Sequence, residues 1–304
     1  MELFSVSKRK AIILPIVVSF LAAAFLPGCS RLGALSPGSE SAAQVAITSH
    51  PSGKVLPGMF VWHDLLTPDL RSAGEFYQNL FNWQVEYQKD AALVRNDGKL
   101  IATIVAMKSS TDKARGTWIP SVSVKDVDAA AAKVKLQGGT VLKEPADMGK
   151  RGRVALIRDS QGADILLLRS PGGDPPMEEA TIGAWLWDEI WSSNPEKTAV
   201  FYTEVLGYDE VQSIKDDYGV LTFEGEPLAG IRHLGGEARN LRWVPVVRVA
   251  DPDATCRKAE DLGGVVRVRP EDAPNVGNTA LISDPTGALI LIQRWPSEPA
   301  DGGN

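Results

Sequence analysis

The chain has 304 residues, 44% hydrophobic and 23% charged, which is long and apolar enough for two ordinary domains with packed cores. A formal charge of −6, with no Lys/Arg cluster in the body, argues against a nucleic-acid binder. Only two cysteines occur, Cys29 and Cys256, so the fold cannot rely on an internal disulfide if Cys29 is used elsewhere.

The first residues read as an export signal: Lys8-Arg9-Lys10 is basic, and Ala11 to Leu26 is apolar except for Pro15 and Ser19. That run is short for a permanent span, which takes about 20 apolar residues. It ends at Leu26-Pro27-Gly28-Cys29, which resembles the bacterial lipobox, where a small residue precedes a Cys that is diacylated and becomes the new N-terminus. Pro27 departs from the usual small residue. The resemblance implies lipidation at Cys29, a membrane held through that lipid, and, with Ser30 in place of an inner-membrane-retaining Asp, the outer membrane if the cell has one. An uncleaved signal anchor is the alternative. Residues 29–56, rich in Ser, Gly, Ala and Pro, are expected to form a flexible tether, and 298–304 a disordered tail.

In the body, Phe60–Leu66 reads as a strand, and Thr67-Pro68 offers an N-cap followed by Pro at the first helical position. Leu70, Ala73, Phe76, Tyr77, Leu80 and Phe81 recur at helical spacing and give one apolar face. Strand-like runs follow at 83–87, 91–94 and 100–107. The order then repeats: a strand over 118–124, a helix capped by Asp126 and ended at Gly138, and strands at 140–142, 154–158 and 163–169.

A larger repeat runs through the body at an offset of about 125 residues. Gly58 and Trp62 answer Gly183 and Trp187, and Phe76-Tyr77 answers Phe201-Tyr202. Trp118 answers Trp243, Gly138-Gly139 answers Gly263-Gly264, and Asp159 answers Asp284. Leu228-Ala-Gly-Ile231 answers Ile101-Ala-Thr-Ile104 two residues late, as an extra turn around Asp216-Asp217 would explain. Helix starts recur at Asn194-Pro195 and Asp251-Pro252. The expected fold is α+β: four βαβββ modules forming two tandem domains, 57–170 and 182–297, with a Pro/Gly-rich linker at 171–181.

The phrases Phe60-Val-Trp-His-Asp-Leu-Leu-Thr-Pro-Asp69, Phe76-Tyr77 and Asp284-Pro-Thr-Gly-Ala288 resemble the vicinal oxygen chelate superfamily, which includes glyoxalase I, bleomycin-resistance proteins and extradiol dioxygenases. The tandem arrangement is most similar to its two-domain, 27 kDa antigen branch. This resemblance covers nearly all of the body and implies a curled sheet whose cleft holds one divalent metal on His and Glu ligands. Those ligand positions fall here on Trp62, Ile119 and Leu166 in copy one and on Trp187, Val244 and Leu291 in copy two, with a fourth in the 101–104 or 228–231 strand. None of these side chains ligates a divalent cation, so no metal or other cofactor is expected. His63 is one residue out of register and is expected on the opposite face, and His233 reads as an ordinary strand histidine.

Period-two alternation sends Trp62, Asp64 and Leu66 into cleft one, and Trp187, Glu189 and Trp191 into cleft two. The facing strand adds Ser121 and Ser123 in copy one, Val246 and Arg248 in copy two. The candidate ligand-binding set is therefore Trp187, Glu189, Trp191 and Arg248, with Trp62 and Asp64 in the other copy. Two fillings stay open: a small-molecule cleft walled by aromatics, or tryptophans that plug a lost metal site, the latter favoured for copy one. The favoured function is an envelope lipoprotein that binds a small organic molecule without metal. The alternatives are a glyoxalase-like lyase or dioxygenase-type enzyme with a non-standard or metal-free site, and a structural or interaction lipoprotein. Cys256 reads as a core thiol, and Lys150-Arg151-Gly-Arg153 as a solvated basic turn.

Overall fold

In the computed structural model the described residues are 44–107, 114–215, 217–234, 241–275 and 277–296, with backbone only over 210–215. The export signal, Cys29, the first part of the tether, Asp216 and the tail at 298–304 lie outside them.

Four βαβββ modules follow one another. The first is β1 (Phe60–Thr67), α1 (Leu70–Phe81), β2 (Gln84–Tyr87), β3 (Ala91–Asn96) and β4 (Lys99–Ala106). The second is β5 (Thr117–Ser123), α2 (Val127–Leu136), β6 (Thr140–Asp147), β7 (Arg153–Arg158) and β8 (Asp164–Arg169). The third is β9 (Trp185–Ser192), α3 (Pro195–Leu206), β10 (Glu210–Lys215), β11 (Tyr218–Phe223) and β12 (Glu226–His233). The fourth is β13 (Arg242–Arg248), α4 (Pro252–Asp261), β14 (Val265–Val268), β15 (Thr279–Ser283) and β16 (Leu289–Gln293). Modules one and two share an eight-stranded sheet ordered β2-β3-β4-β1-β5-β8-β7-β6, and modules three and four share its counterpart, β10-β11-β12-β9-β13-β16-β15-β14. The α+β, doubly duplicated architecture read from the sequence is present.

Local chemistry explains the helix starts. Asn194, Asp126 and Asp251 each turn a side-chain oxygen onto a first-turn amide, satisfying a donor that the helix leaves free. In α1 the cap is Asp69, which accepts from the amides of Arg71 and Ser72. Thr67, the expected cap, belongs to β1 and bonds its hydroxyl to Asp69 instead. A register shift between Phe60 and Trp62 also turns Val61 into the cleft-side cluster rather than toward the helices.

The two domains do not have separate cores on their helical sides. One cluster joins Phe76, Tyr77, Trp83 and Trp118 of copy one to Val247, Cys256, Ile282 and Ile290 of copy two, so module one packs on module four. A second joins Val127, Val134 and Leu167 to Phe201, Tyr202, Tyr208 and Trp243, so module two packs on module three. Cys256 is the expected core thiol, and burial pushes its pKa up to about 11, followed by the nearby charge of Asp253.

The contacts across this interface come in reciprocal pairs, as an isologous two-fold packing demands. Within each domain, Trp118 Nε1 donates to the Tyr77 hydroxyl at 2.9 Å and Trp243 Nε1 to the Tyr202 hydroxyl at 2.8 Å. Tyr202 in turn donates to Asp159 of the other domain at 3.0 Å, and the Tyr77 hydroxyl faces the charge of Asp284 in the other domain. Burial, then the facing carboxylate, raises the pKa of both phenols well above the usual range, so both remain neutral donors. Trp83 Nε1 donates to the Gly183 carbonyl at 2.7 Å, mirrored by the Tyr208 hydroxyl to the Gly58 carbonyl at 2.7 Å. A Cβ on Gly139 would lie 2.9 Å from the Phe201 ring, and one on Gly264 2.7 Å from the Phe76 ring. The second glycine of each Gly-Gly pair is therefore required both by the neighbouring domain and by a carbonyl of its own domain, Arg158 at 2.7 Å from the Gly139 position and Ser283 at 2.8 Å from that of Gly264.

The linker is open to solvent at 176–179 and 181–182. A broad-specificity protease is expected to cut there first, and, because both helical-side cores cross the boundary, the two fragments should co-elute in size exclusion until denaturant is added. Fragments that separate without denaturant would contradict the shared cores.

Candidate functional site

The concave faces of the two sheets, turned away from the shared interface, hold the candidate residues. In copy one the expected register is present: Trp62, Leu66, Ile119 and Leu166 join one buried cluster. Trp62 is 1% exposed, and its Nε1 donates to Asp64 at 3.1 Å. Asp64 also accepts from Arg151 Nη1 at 2.8 Å, while Arg151 Nη2 donates to Thr103 Oγ1 at 3.2 Å. The guanidinium lies 5.0 Å over the Trp62 ring. Arg151 is thus not part of a solvated turn; it is 2% exposed and closes the cleft from the short 3₁₀ turn at 149–151.

The segment expected to be a free tether completes this closure. Val45 and Ile47 are buried in the same cluster as Trp62 and Leu93. Further along, the amides of Ser52 and Gly53 donate to the carbonyls of Asp174 and Gly172, and the amide of Asp174 donates to Lys54. The Asp174 carboxylate accepts from the Leu56 amide and from Ser123 Oγ. Over 44–56 the chain is therefore a docked strap, because two apolar side chains fit a cleft that is itself apolar.

Cleft two is built differently. Trp187 and Trp191 keep partial exposure, as do Leu186, Val268 and Leu289 around them. Glu189, 3% exposed, accepts from Trp191 Nε1 at 2.8 Å and from Arg232 Nε and Nη2 at 2.7 and 3.1 Å. The Arg232 guanidinium lies 4.7 Å over the Tyr218 ring, and Tyr218 is 6.2 Å from Trp187 between ring centres. Burial works against the Arg232 charge, yet its hydrogen bonds to Glu189 carry its pKa above the ordinary value. Burial and then the Glu189 charge raise that of Tyr218.

Arg248 does not complete this set. It leaves Glu189 and reaches the linker, bonding Glu179 at 3.3 Å and the Ala180 carbonyl. The bulge between Val246 and Val247 in the β13–β9 pairing falls just before it. Of the six residues expected to bind a ligand, the structure brings Trp187, Glu189 and Trp191 together in one cleft, buries Trp62 and Asp64 in the other, and sends Arg248 elsewhere. The residues missed are Tyr218 and Arg232. The two-residue offset seen at 228–231 sets Arg232 against Val105 and Tyr218 against Ala91, an asymmetry legible in the sequence once that offset is carried outward.

His63 points away from the cleft, as strand alternation requires, and its Nε2 lies 3.0 Å from both oxygens of Asp188, its counterpart in copy two. Trp185 stacks on the ring at 4.1 Å. His233 is exposed at the end of β12 and does not meet His63. Two shallow surface grooves lie elsewhere, beside α2 (Asp128, Leu136, Glu144) and at the start of α1 (Asp69, Glu75, Leu262), and neither adjoins a cleft.

Two sheets of duplicated βαβββ modules with paired clefts define the class. Residues 59–167 match the Glyoxalase/Bleomycin resistance protein/Dioxygenase superfamily, and residues 188–292 match a glyoxalase-like domain. The chain belongs to that superfamily, with two domains in tandem. It is 29% identical over 241 residues to the protein named "Putative glyoxylase CFP32" of Mycobacterium tuberculosis, covering 76% of this chain and 92% of that one. It is equally 29% identical over 272 residues to the anthracycline biosynthesis protein DauV of Streptomyces sp. strain C5, covering 82% and 98%. Among solved structures, a Mn(II)-bound glyoxalase from Novosphingobium aromaticivorans superposes with a TM-score of 0.57 at 14% identity, over 81% of this chain and 85% of that one, a likeness of fold alone.

The metal that this family implies does not fit the donor set. The inferred positions carry Trp62, Ile119 and Leu166 in one cleft and Trp187, Val244 and Leu291 in the other. On the neighbouring strand, Thr103 and Gly230 occupy matching register positions beside Asp64 and Glu189. The strand carboxylate of each cleft, Asp64 or Glu189, already accepts from an arginine. Among the described residues no three His, Cys, Asp or Glu side chains gather as a ligand set.

The pairing found here, rather than a Glu189–Arg248 pair, fixes an order of stabilities. Arg232→Ala leaves Glu189 buried without its cation and is expected to cost about 3 kcal/mol in urea denaturation, the low end for a buried pair because Arg232 is partly exposed. Arg248→Ala, whose carboxylate partner is 86% exposed, should cost about 1 kcal/mol or less. The reverse order would refute this assignment.

Proposed function

We propose that this protein is an envelope lipoprotein, held through a lipid on Cys29, whose second domain binds a small, partly apolar organic molecule without a metal. One observation carries the reading: the two clefts descend from the same duplicated unit, yet one is buried beneath a strap while the other keeps its aromatic and cationic side chains partly exposed. Copy one buries Trp62, Asp64 and Arg151 beneath Val45 and Ile47. Copy two leaves Trp187, Trp191, Tyr218 and Arg232 partly exposed around a fixed carboxylate. Aromatic walls with a few oriented polar groups are the usual make-up of a small-molecule site. The names of the relatives, a glyoxylase and proteins of anthracycline biosynthesis, are in keeping with an organic ligand. Binding is favoured over acid–base catalysis because Asp64 and Glu189 are each held by an arginine and an indole N–H, which leaves neither as an unengaged base.

Cleft two is tested by tryptophan fluorescence across a panel of aromatic and aliphatic metabolites. Saturable quenching is expected that is lost in Trp187→Phe and kept in Trp62→Phe. Equal loss in both variants, or a response that survives both, would place the site elsewhere. The anchor is tested separately: Cys29→Ala should abolish labelling by a fatty-acid probe in cells, and unchanged labelling would remove the lipoprotein half of the proposal.

A further inference from the structure

The same cleft carries information about the chemistry of its ligand. Glu189 lies at the bottom, its side chain 4% exposed, and Arg232 lies above it at 21%. The ion pair is therefore a fixed dipole with its positive end toward the cleft mouth. A guanidinium has five N–H donors in one plane. Arg232 spends Nε and one Nη2 hydrogen on Glu189, and Nη1 makes no hydrogen bond to a described residue. The outward edge of the fork is thus left as a donor pair of the geometry that receives a carboxylate.

The fork is also held still. Tyr218 supports it from one face, and the two Glu189 bonds fix its rotation. Tyr218 lies close over Gly230, where any Cβ would collide with the phenol oxygen. Copy one has Thr103 at that register position and uses its hydroxyl to bind the sealed-in Arg151. A glycine in copy two thus makes room for an aromatic floor under a partly exposed cation. The raised pKa of Tyr218 keeps that floor uncharged. Asp217 also favours the Arg232 charge, as the weakest of the groups that act on it. Beside the cation, Trp187 and the apolar side chains of Leu186 and Leu289 extend a surface suited to a flat ring.

We infer that the ligand of cleft two is a planar aromatic compound bearing a carboxylate or a similar anionic oxygen, its ring laid along Trp187 and Tyr218 and its oxygen received by the outward edge of Arg232. This rests on the reading of cleft two as a binding site. It goes further in naming the ligand's chemical class and in giving Arg232, rather than Arg248, the part of anchor.

The experiment compares naphthalene-2-carboxylate with naphthalene-2-methanol, which present the same ring with and without the anion, by fluorescence titration of the full chain. The carboxylate should bind on the order of tenfold more tightly, and rising salt should shrink the difference. The double variant Glu189→Gln/Arg232→Gln removes both charges together, so no buried carboxylate is left unpaired, and near-ultraviolet circular dichroism checks its fold. In it the two compounds should bind within about twofold of each other, as a charge-assisted contact has been lost. Arg232→Lys, which keeps the charge but not the fork, should retain only part of the preference. Equal binding of both compounds by the unaltered chain, or a preference that survives in the double variant, would overturn this inference while leaving the cleft as a binding site. Absence of Trp187-dependent quenching with either compound, and with the metabolite panel, would overturn both.

Discussion

The structure depends on a two-fold interface made by the helical sides of its own repeats. Module one packs on module four and module two on module three, so each domain's helical-side core is completed by the other domain. The polar chemistry of that interface repeats: in each copy an indole donates to a phenol, and each phenol faces a carboxylate of the other copy, Tyr202 hydrogen-bonded to Asp159 and Tyr77 beside the charge of Asp284. Buried donors and acceptors of this kind must be satisfied, and a lost partner costs about 1–3 kcal/mol. A substitution in one copy therefore strands its partner in the other. That coupling gives a physical reason for both copies to keep the same Phe-Tyr, Trp, Gly-Gly and Asp-x-x-Gly residues.

On the symmetry axis the logic reverses. His63 and Asp188 occupy the same place in their copies and face each other at 3.0 Å with almost no exposure. Two aspartates there would confront each other as like charges in a poorly solvated space, and two histidines would offer no carboxylate to accept an N–H. A duplicated unit that meets itself gains a complementary donor and acceptor by differing at this position, and here it does.

Because the interface occupies the helical faces, the concave faces were free to diverge. Both retain a carboxylate at the same strand position and pair it with an arginine, but the arginines come from unrelated places, a 3₁₀ turn for Arg151 and strand β12 for Arg232. What separates a sealed cleft from an accessible one is then a small set of changes. Leu66 is answered by Trp191, Thr103 by Gly230, Ala91 by Tyr218, and the strap with Val45 and Ile47 lies over copy one.

Much of this was legible in the chain alone. The repeat, the four modules and the strand alternation that puts Trp62 and Trp187 on the cleft side and His63 on the other follow from local periodicity and residue chemistry, while the positions where metal ligands would fall came from the resemblance to the family. Those features depend on neighbours a few residues away or on one constant offset. The partners of Glu189 and Asp64 were not legible in the same way. Arg232 is 43 residues from Glu189 and Arg151 is 87 from Asp64, and the β13 bulge that precedes Arg248 leaves no signature in residue type. Composition likewise marked residues 44–56 as a spacer, because it carries no record that two apolar side chains have a cleft to enter. The sequence by itself determined the fold, its duplication and the alternation that sends Trp62, Asp64, Trp187, Glu189 and Trp191 to the clefts. Only the tertiary structure decided which charges meet, which cleft is filled and which remains accessible, since those outcomes depend on contacts between segments whose spacing along the chain says nothing about their distance in space.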